Sequence, residues 1–154
     1  MSDFITRVGM LIRKPVAQVF EAFVNPALTT MFWFSKSSGK LEPGRRVRWD
    51  WEKYGISVNV DVKAIEPKQR ILIEWSSNDE PPTTVEWKFT ARPDDTTFVD
   101  IANFGFSEST EEQAKKALDS TEKFAFVVAA LKALLEHDMK LDLVADRFPD
   151  GLNA

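Results

Sequence analysis

Five segments between Arg46 and Phe106 alternate apolar and polar side chains, and from about Ser109 the period becomes helical. That change of period limits the folds open to the chain more than any other feature. In RVRWDWEK, Val47, Trp49 and Trp51 share one face, against Arg46, Arg48, Asp50 and Glu52. In ISVNVDVKAIEP, Ile56, Val58, Val60 and Val62 alternate with Ser57, Asn59, Asp61 and Lys63. RILIEW repeats the pattern with Ile71, Ile73 and Trp75, and TTVEWKFTA with Val85, Trp87 and Phe89. TFVDIANFGF makes a last, less regular strand. Successive strand side chains point to opposite faces, so each segment offers one apolar face to a core. Tyr54-Gly55, Pro67, SSNDEPP and RPDDT are turn or loop signals between them, which predicts antiparallel pairing.

Ser109 with Glu112, and Thr110 with Gln113, fit a capping box. Residues 121–137 then carry Phe124, Val128, Leu131 and Leu135 on one stripe, with Val127 and Leu134 beside it. At ~1.5 Å per residue that helical stretch is roughly 25 Å long. Upstream of the alternating region, FITRVGMLIR reads as a first strand. Val16, Val19, Phe20 and Phe23 follow at i, i+3, i+4 and i+7, one face of a short helix opened by Pro15. Asn25-Pro26 ends it and starts a second, with Asn25 as N-cap, which runs into the apolar tetrad Met31-Phe32-Trp33-Phe34. The predicted class is α+β, in one domain over residues 1–154. It is a curved antiparallel sheet of about six strands around a long C-terminal helix, with two short helices after the first strand.

Six strands ~4.8 Å apart make a sheet roughly 25–30 Å wide, and a helix ~10 Å across does not cover it. The sheet is therefore expected to curl around the helix, leaving a gap lined with aromatics. The strands contribute Trp49, Trp51, Trp75, Trp87 and Phe89 to that lining. The helical segments contribute Phe20, Phe23, Trp33, Phe124, Val128 and Leu131. Binding pockets are mostly apolar with a few orienting polar groups; Asn103, Tyr54 and the indole N–H groups are candidates for these. The tetrad at 31–34 then either gates the rim of this interior or, as ordinary core, completes it with Phe32 and Phe34.

Composition removes other chemistries. The chain has 154 residues, a net charge of −4 and no Cys. Thiolate metal sites, disulfides and a Cys nucleophile are thus excluded, and the basic footprint of a nucleic-acid binder is missing. No apolar run approaches the roughly 20 residues of a membrane span, and MSDFITRVG lacks the pattern of a secretion signal. A cytoplasmic location is the expectation. His137 is the only His, placed near the end of the long helix, where the dipole favours a cation. Neither a metal site nor a Ser-His-Asp arrangement is expected from one His without clustered partners, and no phosphate or dinucleotide loop is present. Asp61, Glu74 and Glu86 alternate away from apolar neighbours and are expected to face solvent, as are two of the three arginines in GRRVRW. No catalytic residue, metal or cofactor is assigned.

The order of elements, with KPVAQVFEAFVNPALTTMFW, LEPGRRVRWDW, FGFSES and LKALLEHDMKLDLVADRFP, resembles stand-alone relatives of the C-terminal domain of the activator of Hsp90 ATPase. That family sits in the helix-grip superfamily with START lipid carriers, birch-pollen-type allergens and polyketide cyclases. The resemblance implies a cavity for an apolar ligand between sheet and C-terminal helix, and a stress- or chaperone-related setting. Many relatives open the long helix with Gly-Trp, where this chain has Glu122-Lys123-Phe124. Three function classes follow: a carrier of a small hydrophobic molecule, a protein-interaction module such as a chaperone cofactor, and a cyclase-type enzyme. A homodimer is compatible with each.

Overall fold

The computed structural model describes residues 4–77, 80–107 and 109–152. Asn78 and Asp79 of the loop read from sequence, Glu108 of FGFSES, and the residues at either end lie outside this range. The strands are β1 (Thr6–Ile12), β2 (Lys36–Ser37), β3 (Arg46–Trp51), β4 (Ile56–Glu66), β5 (Arg70–Ser76), β6 (Thr83–Arg92) and β7 (Thr96–Phe104). The helices are α1 (Val16–Val24), α2 (Pro26–Thr29), α3 (Thr110–His137) and α4 (Leu143–Arg147). One antiparallel sheet runs in the order β1-β7-β6-β5-β4-β3-β2, so the first strand joins beside the last. The sheet has seven strands rather than about six, because β2 adds a two-residue rung opposite Trp49 and Asp50. Two residues are too short to leave a periodic signal.

Each apolar face predicted from the alternation turns inward. Val47, Trp49, Val60, Val62, Ile71, Ile73, Val85, Trp87 and Phe89 are buried. In β4 the register shifts between Val62 and Ala64. The extra residue reverses the parity, so that Ile65 returns to the core side opposite Ile71, and such a bulge bends the strand and increases its twist. β7 looked irregular in sequence only because two of its inward residues are polar. Its burial alternates without a break, through Thr97, Val99, Ile101 and Asn103.

At its start, α1 follows Pro15 and presents Val19, Phe20 and Phe23 to the sheet. Asn25 caps α2, its Oδ1 accepting from the Ala27 N–H at 3.1 Å. Ser109 Oγ accepts from the Glu112 N–H at 3.4 Å, and α3 runs unbroken from there for 28 residues, about 42 Å. It extends well beyond the apolar stripe, since its first ten residues are polar apart from Ala114, Ala117 and the exposed Leu118. Phe124, Val127, Val128, Leu131 and Leu134 are its buried apolar face.

Polar clamps hold α3 to β1. Thr6 Oγ1 donates to the Ala117 carbonyl at 2.9 Å, and Lys132 Nζ to the Leu11 carbonyl at 2.7 Å. Glu136 is 8 % exposed and accepts from Lys132 Nζ at 2.7 Å and from the Arg13 N–H at 2.9 Å. Burial alone raises its carboxyl pKa, but the bonds from Lys132 and Arg13 and their charges outweigh that and hold it below the ordinary carboxylate value. A depressed folded-state pKa stabilises the fold above the unfolded value and loses that contribution as pH falls through the folded one. Glu136→Gln is therefore expected to destabilise at neutral pH by an amount that shrinks on acidification. Urea unfolding at pH 7 and pH 3 measures the difference; an equal loss at both would contradict it.

The outer face is charged and paired. Arg46 forms a bidentate bond to Asp61 at 2.7 and 3.0 Å, Arg48 meets Asp50 at 2.9 Å, and Arg70 meets Glu86 at 2.6 Å. The guanidinium of Arg46 holds the Asp61 carboxyl below its usual range. The basic cluster of the sequence is thus one side of a set of exposed surface ion pairs, which add little to stability.

Candidate functional site

The concave face is not filled uniformly. α1 lies over β6 and β7, where Phe20 meets Phe89 at 5.3 Å and Phe23 meets Trp87 at 5.8 Å between ring centres. Over β3, β4 and β5 no such helix fills the space. There a cavity of about 860 Å³ opens between the sheet, α3 and the C-terminal tail. Its size suits a small organic ligand, since such sites run from roughly 300 to 1,000 Å³.

Trp33, Trp51, Trp75 and Phe124 form its aromatic wall, with Ile56, Val58 and Val127 alongside. Trp33 is the hub, 5.0 Å from Trp49, 5.7 Å from Phe124 and 6.0 Å from Trp75. It is positioned by the turn after α2, where its N–H donates to the Thr29 carbonyl at 2.9 Å. The neighbouring rings in the tetrad do something else: Phe32 and Phe34 are buried core, Phe34 stacked on Trp49 at 4.5 Å, while Met31 is exposed. Alternate residues of one short run therefore serve core and cavity.

α3 supplies a graded wall. Glu112, Lys115, Lys116, Asp119, Ser120, Lys123, Phe124 and Val127 all line the cavity at helical spacing, polar or charged as far as Lys123 and apolar at Phe124 and Val127. Lys123 pairs with Asp119 at 2.8 Å and Lys116 with Glu80 at 3.9 Å, so both signs are present at the mouth. The wall is apolar in depth and charged at the rim. The carboxylates that line it, Glu80, Glu112 and Asp119, are all exposed.

Of the residues singled out in the sequence, Trp33, Trp51, Trp75, Asn103 and Phe124 line this cavity, as does Tyr54. Phe20, Phe23, Trp49, Trp87, Phe89, Val128 and Leu131 are buried in the core outside its lining. Parity assigns a face but not the half of the sheet that α1 covers. Sequence reasoning passed over Thr83 and Ser120, both on the lining. Thr83 shares the inward parity of Val85 and Trp87, and Ser120 lies one helical turn before Phe124, so both signals were present.

The tail was also missed. It forms α4 and closes one side, with Val144 and Leu152 on the lining. Tyr54 Oη donates to the Phe148 carbonyl at 3.0 Å, and burial pushes its phenol pKa up, which keeps the donor protonated. Arg147 sits 4.6 Å from the Phe148 ring and bonds Glu122 at 3.2 Å. Tyr54→Phe is expected to cost about 1 kcal/mol and to speed amide exchange across residues 143–152 while the sheet stays protected. Unchanged exchange in the tail would show that Tyr54 does not hold it.

Among the described residues no group of His, Cys, Asp or Glu could hold a metal ion, and no helix is long and apolar enough to cross a membrane.

No curated protein matches the chain. Among solved structures it is similar to DynU16, from the dynemicin biosynthetic locus, at 23% identity and a TM-score of 0.79, covering 90% of this chain. It covers 49% of DynU16, so the chain spans about half the length of that protein. Protein SSP2350 from Staphylococcus saprophyticus is 25% identical with a TM-score of 0.75, over 90% of this chain and 96% of that one. The Aha1 dimer from Colwellia psychrerythraea is 18% identical with a TM-score of 0.70, over 89% of this chain and 98% of that one. These likenesses agree with the helix-grip architecture described above. The protein-family model for Activator of Hsp90 ATPase homolog 1-like protein matches residues 13–136, and the chain belongs to that family.

Proposed function

We propose that the chain binds a small, largely apolar molecule with an aromatic face in the cavity between β3–β5 and α3. The observation that carries this reading is the wall of Trp33, Trp51, Trp75 and Phe124 around about 860 Å³ of space. A fold selected only for stability covers such rings, because apolar surface left facing water forgoes the stabilisation of burial. The rim of paired charges suits a ligand whose apolar body enters first and whose polar end stays near water. No covalent step is assigned to the protein, and a cytoplasmic setting fits this reading.

Native mass spectrometry of gently purified protein tests it. The expected spectrum contains an adduct of a few hundred daltons that denaturation releases. A clean protein mass, with no adduct after incubation in a cell extract, would count against it. Family membership supports a second reading, as a chaperone cofactor. Under that reading Hsp90 is retained by the immobilised protein and a cavity ligand alters the retention; no retention at all would dismiss it. The dimeric Colwellia relative makes a homodimer the assembly to look for, by light scattering.

A further inference from the structure

The hydrogen bonds around Asn103 run in one direction only, and that direction determines what the cavity offers. Asn103 is 3 % exposed. One end of its amide faces the Thr84 carbonyl at 2.9 Å. A carbonyl only accepts, so that end is the Nδ2 donor. Its second hydrogen goes to Thr83 Oγ1 at 3.0 Å. Trp75 Nε1, which only donates, also reaches Thr83 Oγ1 at 3.0 Å. Both lone pairs of the Thr83 oxygen are therefore taken. Its own proton occupies the remaining tetrahedral direction, and it finds no acceptor among the described residues. At the other end of the amide, Asn103 Oδ1 accepts from Ser120 Oγ at 2.8 Å. The Ser120 proton is thus committed and its lone pairs are left over. Thr83 and Ser120 both line the cavity.

We infer that Thr83 and Ser120 form a paired donor and acceptor that selects a ligand bearing a neutral hydroxyl group, a phenol or alcohol on an apolar body. The inference rests on the binding function proposed above and specifies its ligand class. A hydroxyl seated between the two accepts from Thr83 and donates to Ser120. An ether satisfies only the first, a hydrocarbon neither, and a carboxylate sets its charge against the lone pairs of Ser120. Asn103 and Trp75 touch nothing but protein through these atoms; they orient the pair.

The test is titration by tryptophan fluorescence at pH 7 with 2-naphthol, 2-methoxynaphthalene and 2-methylnaphthalene, which share one apolar body. Two neutral hydrogen bonds shift binding by roughly tenfold or more. The expected order is 2-naphthol tightest, about tenfold over 2-methylnaphthalene, with the ether between. Thr83→Ser keeps that ratio. Ser120→Ala lowers it several-fold. Thr83→Val, which removes the donor and leaves the Ser120 acceptor, also lowers it several-fold, provided circular dichroism shows the variant folded; should it unfold, Ser120→Ala and Thr83→Ser decide. Equal wild-type affinity for all three probes, or a ratio unmoved by Ser120→Ala, overturns the inference and leaves the cavity as a binding site. No saturable binding of any probe overturns both.

Discussion

Trp87→Ala lowers the unfolding free energy by about 3–5 kcal/mol, the range for removing a buried aromatic ring. Trp87 is 1 % exposed, packs within 5.8 Å of Phe23 and 6.1 Å of Trp33, and lies where α1 presses on β6. Its indole N–H has no acceptor among the described residues. Trp87→Phe therefore gives up no hydrogen bond and is expected to cost markedly less than Trp87→Ala, though it removes part of the ring. Denaturant unfolding of the two variants makes the comparison. A small loss in Trp87→Ala would mean that the centre of the sheet is not the packed core described.

Trp33→Ala has the opposite signature. The ring is only half-buried and stands between core and cavity, so its removal costs less stability than that of Trp87. It takes away the aromatic surface that a bound ligand would cover. Burying an aromatic side chain contributes about 1.5–3 kcal/mol, so affinity for 2-methylnaphthalene is expected to fall roughly ten- to hundredfold. Isothermal titration of the wild type and the variant measures it. Unchanged affinity with lost stability would make Trp33 a core residue alone.

The contrast between these two tryptophans shows what was legible in the sequence. Period-two alternation in β3 to β6 identified the inward face residue by residue, because burial of one face dictates side-chain chemistry at every second position. The step from strand to helical period at Ser109 located α3, and Asn25-Pro26 located α2 through capping chemistry. Depth along the inward face was not legible. Trp49 and Trp51 share parity, yet Trp49 is buried core and Trp51 lines the cavity. The difference comes from what lies opposite, since Phe34 stacks on Trp49 at 4.5 Å, and that is a property of tertiary packing.

Asn103 makes the same point for polar groups. Its side chain was a candidate for orienting a ligand, but in the fold both ends of its amide are committed to protein partners. The groups left over belong to Thr83 and Ser120, two hydroxyls with nothing unusual in their local sequence. α4 escaped notice because five residues with a single apolar pair carry no periodicity, although Tyr54 and Phe148 hold the tail against the cavity.

The most direct test of the central claim, that the aromatic space between sheet and α3 is a binding site, is titration of the wild-type protein with 2-methylnaphthalene, followed through tryptophan emission. A saturable change at one probe per chain is expected, because Trp33, Trp51 and Trp75 line the space the ring would enter. A signal that rises linearly without saturation, up to the solubility of the probe, would contradict it.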